Sequence, residues 1–204
     1  MKHAVIVAHP SVQSFTSSMA SSYRETGLAA GHDVIYRDLY RINFDPCLLE
    51  SELPWSKSPA LRDDVIAERE VLKDADVFAL FYPLWLNAPP AILKGYLERV
   101  FGMGFAYQRK GSGNAPMLKG KRLISFTNSG APTEWVIQSG AWQAMRTLFD
   151  GHLAAVCGLE VVDHIHFGSV VPGIRADSVH ADMAKVAKTF EKHFAATKDV
   201  TGAT

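Results

Sequence analysis

Apolar residues in this chain alternate between short continuous runs and longer stretches in which they recur every three or four positions. Residues 4–8 (AVIVA), 76–82 (DVFALFY), 123–127 (LISFT) and 160–167 (EVVDHIHF) are runs of the first kind, and residues 33–36 form a weaker one. Runs this short suit parallel strands covered on both faces. The helical spacing falls between them, over residues 15–30, 62–73, 137–156 and 176–196. Another helix is entered through Pro90, a residue tolerated in a first turn, and carries Leu93, Tyr96, Leu97, Val100 and Phe101 on one face. Gly31 stops the first helix. Residues 43–59, with Pro46, Pro54 and Pro59, read as a long irregular connection, and residues 102–120, which include GSGNAP, as an exposed loop.

Five strands alternating with helices predict a doubly wound parallel sheet, since each crossover is right-handed and covers one face. The 204 residues fit a single domain, residues 1–204, with helices on both faces of the sheet. Ligands of such sheets sit at the carboxyl ends of the strands, where the strand order reverses. In the flavodoxin-like order 2-1-3-4-5 that point lies between the strands ending at His9 and Pro83, which sets the two richest loops side by side.

The loops narrow the chemistry. SFTSS, from Ser14 to Ser18, brings hydroxyls and free backbone N–H groups to a helix start, which favours a phosphate; the same Ser14 or Thr16 can simply cap the helix. This loop holds no glycine, so a GxGxxG dinucleotide site is excluded. PLWLNAPP, from Pro83 to Pro90, places large apolar side chains where an ordinary crossover is polar, a shelf for the edge and face of a flat heterocycle. TNSGAPTEW adds small residues, Ser129, Gly130 and Ala131, beside Thr127, Asn128 and Trp135. Backbone donors there would stabilise a ring that becomes negative on reduction. A flavin satisfies all three loops.

Composition removes several alternatives. Lys+Arg 21 against Asp+Glu 21 gives no net field to attract nucleic acid or an anionic membrane. No apolar run nears the roughly 20 residues of a spanning helix, and His9 and Pro10 interrupt the N-terminal run early, so a cytoplasmic protein without membrane insertion is expected. Cys47 and Cys157 stand alone, and His164 and His166 lack a third nearby ligand, so no metal site is expected. Asp150 and His152 read as surface groups, His3 as a residue without chemical role, Lys94 and Glu98 as a solvated pair, and Arg99 as a side chain directed toward a subunit partner.

AHPxxxSF (residues 8–15), PLWLNAPPAILKGYLERVF (83–101), GFAY (104–107) and TNSGA (127–131) together resemble the NAD(P)H:quinone oxidoreductases of the DT-diaphorase type, over about residues 2–167. The resemblance implies a flavodoxin-like fold, with His9, Ser14, Phe15 and Thr16 on the phosphate and adenine side of the cofactor. Pro83, Leu84, Trp85, Leu86 and Asn87 would meet the isoalloxazine, and Thr127, Asn128, Ser129, Gly130 and Trp135 would also line the flavin. Leu86, Asn87, Phe105 and Tyr107 would face a shared nicotinamide and quinone site at a homodimer interface.

Two departures stand out. Trp135 and Ala141 occupy the positions of a tyrosine and a histidine that relay charge in the family's animal members. The flavin-facing tryptophan of those members corresponds to Leu86 here, with Trp85 one place earlier. The chain is thus expected to pass hydride from NAD(P)H through a flavin, FAD slightly ahead of FMN, to a quinone-like acceptor. Trp135 and Asn87 are the weak catalytic candidates. The alternative is a flavin-binding regulatory subunit of a partner such as a transport protein.

Overall fold

The computed structural model describes residues 1–195. Five parallel strands form the sheet: β1 (Lys2–Val7), β2 (Asp33–Asp38), β3 (Val77–Pro83), β6 (Arg122–Asn128) and β7 (Glu160–Phe167), in the order β2-β1-β3-β6-β7. This is the flavodoxin-like arrangement expected, with an additional antiparallel hairpin, β4 (Tyr107–Lys110) and β5 (Gly113–Pro116), numbered between its third and fourth strands.

Strand alternation splits the core in two. Val5, Val7, Ala79, Phe81, Ile124 and Phe126 face α1 (Phe15–Ala29) and α7 (Ala176–Phe194), whose Met19, Tyr23, Val186 and Phe190 complete that layer. Ala4, Ile6, Phe78, Leu80 and Tyr82 face the other way, toward α2 (Asp63–Leu72) and α3 (Ala91–Val100). Phe81 and Phe126 stack at 4.9 Å between centroids. Burying each such ring stabilises the fold by about 1.5–3 kcal/mol, so the central strands hold the loops beyond them firmly.

One irregularity re-aims β7. Its pairing with β6 runs Leu123↔Val161 and then Ile124↔Asp163, so Val162 is the extra residue of a bulge. Val161 packs into the layer opposite α7, and strict alternation from there would turn His164 and His166 toward α7. The bulge reverses the phase, and both histidines face the opposite layer beside Ser125 and Thr127.

Several expectations need correction. The stretch 102–120 is no plain loop: it contains the β4–β5 hairpin, which turns at Gly111 with φ 59°. The long helix over 137–156 is broken into α4 (Thr133–Gln138), α5 (Ala141–Met145), a π-helical turn (Arg146–Gly151) and α6 (His152–Cys157). Gly140, at φ 78°, makes the first break, in a conformation glycine adopts without strain. Pro90 caps α3 rather than sitting inside its first turn. Ala196, the expected end of the last helix, lies outside the described residues.

Arg99 does not point toward a subunit partner. It is buried and bonds Glu52 at 2.8 Å and Asp64 at 2.8 Å, clasping residues 43–62 onto α3. The same connection presses so closely on α3 that a Cβ at Gly95 would lie 2.2 Å from the Pro46 carbonyl.

Candidate functional site at the strand carboxyl ends

β1, β3 and β6 stop at one edge of the sheet, and the polypeptide leaves each of them as a loop. After β1, His9 is half-buried and its Nδ1 accepts the Ser11 amide at 3.0 Å. Burial holds the His9 imidazole below its ordinary pKa. Ser14 is the N-cap of α1: its Oγ accepts the Ser17 amide at 3.0 Å, while Ser17 Oγ donates to the Ser11 carbonyl. Capping therefore claims Ser14, and the first-turn amides of Phe15 and Thr16 are those without an intrahelical partner. The Phe15 ring packs edge-on against Phe167 at 5.7 Å.

The loop after β3 is built differently. Pro83 and Leu84 are buried, and the Leu84 amide donates to the Asn128 carbonyl at 2.8 Å, the last tie to β6. Trp85 and Ala88 then exchange two backbone bonds across a tight turn, with Leu86 at φ 53° and Asn87 at φ 55°. Both central residues are left-handed, a conformation that costs a leucine roughly 1–2 kcal/mol. The turn lifts Leu86 fully into solvent, at 101% relative exposure, next to the half-exposed Trp85. Trp85 lies 5.9 Å from the His9 ring, so the first and second loops meet.

Beyond β6 the polar groups are turned inward. Thr16 Oγ1 donates to Asn128 Oδ1 at 2.8 Å, pinning the start of α1 to the end of β6. Thr127 is buried, with its hydroxyl between His164 Nε2 and His166 Nδ1, each at 2.9 Å. Ser129 Oγ reaches the Ala131 carbonyl at 2.9 Å and His166 Nε2 at 3.0 Å. Gly130 and Trp135 are exposed. Gly168, following β7, packs so tightly on this loop that a Cβ there would lie 2.3 Å from the Thr133 amide.

Thus His9, Ser14, Phe15, Thr16, Trp85, Leu86, Asn87, Thr127, Asn128, Ser129, Gly130 and Trp135 gather at one edge. Phe105 and Tyr107 do not. They follow the far end of α3, a helix of 10 residues and so about 15 Å long, and Tyr107 lines an apolar cavity of about 330 Å³ with Leu97, Phe149 and Leu153.

Sequence reading missed Asp150, which is buried rather than superficial and receives His164 Nδ1 at 2.5 Å and Ser125 Oγ at 3.1 Å. The alternation His164-x-His166 on a strand was the available signal. Its partners are 14 to 39 residues away in sequence.

The exposed faces of Trp85 and Leu86, with the Trp85 ring 5.9 Å from His9 and the N-terminus of α1 following that loop, suit a flat ring with a phosphate-bearing tail. A family model described as a flavodoxin-like fold matches residues 1–194. An uncharacterized NAD(P)H oxidoreductase of Haemophilus influenzae is 34% identical over 171 residues, 83% of this chain and 85% of that protein. NAD(P)H dehydrogenase (quinone) 1 of Rattus norvegicus is 28% identical over 180 residues, 78% of this chain but 65% of the rat protein, so the chain spans under two thirds of that relative. The solved NAD(P)H:quinone oxidoreductase from Methanothermobacter marburgensis superposes with a TM-score of 0.81 at 28% identity, covering 95% of this chain and 98% of that one. The chain belongs to the flavodoxin-like family, and the relatives it resembles are named as NAD(P)H oxidoreductases and NAD(P)H dehydrogenases (quinone).

Proposed function

We propose that this chain moves hydride from NAD(P)H to a quinone through a flavin seated across the ends of β1, β3 and β6. The observation that carries the reading is the exposed pair Trp85 and Leu86 set against His9, one loop away from the start of α1. When bound, the flavin accepts hydride from the nicotinamide and passes two electrons to the acceptor. Phe15 and Thr16 offer their amides to its phosphate at the positive end of α1, with His9 and the Ser14 cap shaping the approach. Pro83, Leu84, Trp85, Leu86 and Asn87 border the ring, and Trp85 and Leu86 exclude water from it. Thr127 and Asn128 act from below by fixing the loop, while Ser129, Gly130 and Trp135 line it.

Trp135 has an N–H but no hydroxyl that could pass a proton on, so its role is that of a wall. Asn87 is placed at the turn tip to touch the acceptor. Phe105 and Tyr107 can join Leu86 and Asn87 only from a second copy of the chain, which makes a two-fold dimer part of this reading. The lean toward FAD rests on chain length, the His9–Thr16 match and room along that loop and residues 43–59; Arg99 clasps the latter connection onto α3, and FMN serves this reading equally well.

Among the described residues no helix is long and apolar enough to cross a membrane. The experiment is direct: purify the chain, release the cofactor by heat, weigh it, and follow NAD(P)H oxidation with a simple quinone. A yellow protein that turns over a quinone supports the proposal, and the cofactor mass distinguishes FMN from FAD. A flavin-loaded protein without turnover on any acceptor would sink it.

A further inference from the structure

Beneath the third loop runs an unbroken chain of hydrogen bonds, Asp150–His164–Thr127–His166–Ser129, made possible by the β7 bulge. Its outer end is the Ala131 carbonyl, beside the flavin edge on the reading above. Its inner end, Asp150, is buried and borders a cleft lined also by Arg146 and Val161. The links measure 2.5, 2.9, 2.9 and 3.0 Å.

Hydrogen counting gives this chain two arrangements. The Ser129 hydroxyl has one hydrogen and two acceptors within reach, the Ala131 carbonyl and His166 Nε2. If it donates to Ala131, His166 Nε2–H must donate to Ser129, Thr127 must donate to His166 Nδ1, and His164 Nε2–H must donate to Thr127. The His164–Asp150 pair then holds a further proton on its short bond. If Ser129 turns to His166, every bond reverses, and His164 keeps only the Nδ1 proton that faces Asp150. The two arrangements differ by one proton. In the protonated one all the donors point toward the loop, and in the other they point toward Asp150.

We propose that this chain is a one-proton charge compensator for the redox site: it draws a proton in at Asp150 when negative charge is placed beside Ser129–Ala131, and gives it back when that charge leaves. The inference rests on flavin binding at that loop. Hydride delivery brings two electrons and one proton; the network moves no electrons and takes its proton from water. His164 and His166 are thus positioning residues that act through Ser129, in a chain that lacks the family's tyrosine and histidine pair.

The surrounding groups favour an empty site that waits deprotonated. Burial, with His164 and then Lys185 of α7 adding to it, lowers the His166 pKa to about 4. Trp142 of α5 covers both rings, at 4.8 Å from His164 and 5.7 Å from His166, with Arg146 over its own face. Tyr82 of β3 approaches His164 at 6.3 Å, and burial with Asp150 beside it keeps that phenol protonated. The carboxyl group facing His164 is that of Asp150. A new anion at the loop would raise the proton affinity of the chain.

The test is the pH dependence of the flavin reduction potential in the loaded protein, with flavin content measured first. Wild type is expected to take up two protons per two electrons near neutral pH. Thr127→Val, which cuts the chain at its middle with little change in volume, should take up one, halving the slope of potential against pH. His164→Gln should do the same, so the result survives a failure of either variant to fold. Flavin-loaded variants with the wild-type slope would overturn the compensator alone. A wild-type chain that takes up no flavin would overturn both this role and the functional reading.

Discussion

Arg99 and His164 are both buried against carboxylates on the same face of the sheet, yet their charges behave differently. Arg99 meets Glu52 and Asp64 in ion pairs, and its guanidinium never loses its proton. Asp64 is held below the usual carboxylate range, chiefly by its bond to Arg99. His164 meets Asp150 through an imidazole that can carry one proton or two, and behind it stand a hydroxyl, a second imidazole and another hydroxyl. The first cluster is a clamp that fixes residues 43–62. The second is a store whose protons can be rearranged without moving heavy atoms, and it lies under the loop that we propose lines the flavin.

The largest effect should come from opening the clamp. Arg99→Met would leave Glu52 buried without its cation, and we expect a loss of about 3–5 kcal/mol in urea unfolding. Asp150→Asn should cost less, about 1–3 kcal/mol, because the amide oxygen can still accept from His164 and Ser125. Equal losses in the two variants would erase the distinction between clamp and store.

Acid should separate the clusters next. His166 and His3 are both held near pKa 4, mainly by burial, so between pH 6.5 and 4 the unfolded chain binds more protons than the folded one. Stability is then complete above pH 6.5 and falls as the pH drops toward 4. His166→Gln should flatten that fall, measured as the urea midpoint against pH, whereas Arg99→Met, which leaves Glu52 buried without its cation, should lower the curve most at neutral pH. A slope untouched by His166→Gln would show that the histidine chain takes no part in it.

The smallest effect concerns the loop above the store. Leu86→Gly should relieve the left-handed strain and stabilise the fold by no more than about 1 kcal/mol. It should also weaken acceptor binding, read as a raised KM for the quinone with the flavin retained. Destabilisation instead would mean that the leucine side chain, for all its exposure, holds the turn.

What the sequence disclosed follows from the range of the forces involved. Strands β1, β3, β6 and β7 announced themselves because both of their faces are buried, and the three ligand loops followed from the strand ends. The β4–β5 hairpin was hidden, since YQRK and GNAP carry no alternating apolar face. The helix over 137–156 looked continuous because its apolar period survives the breaks, while Gly140 and the π-helical turn answer to packing that no local pattern encodes. Asp150 and Arg99 looked like ordinary charges. Their burial depends on partners up to 54 residues away, beyond the reach of any periodicity.

The two backbone bonds between Trp85 and Ala88 also bear on how this protein can be altered. They close the turn below its tip, so positions 86 and 87 are mechanically insulated from the sheet that carries them. A library confined to those two positions would vary the surface offered to the acceptor while leaving the framework intact. Glycine, asparagine and aspartate should dominate the survivors of a stability screen, since the turn admits them most easily. Bulkier survivors of an activity screen would trace the outline of the acceptor itself.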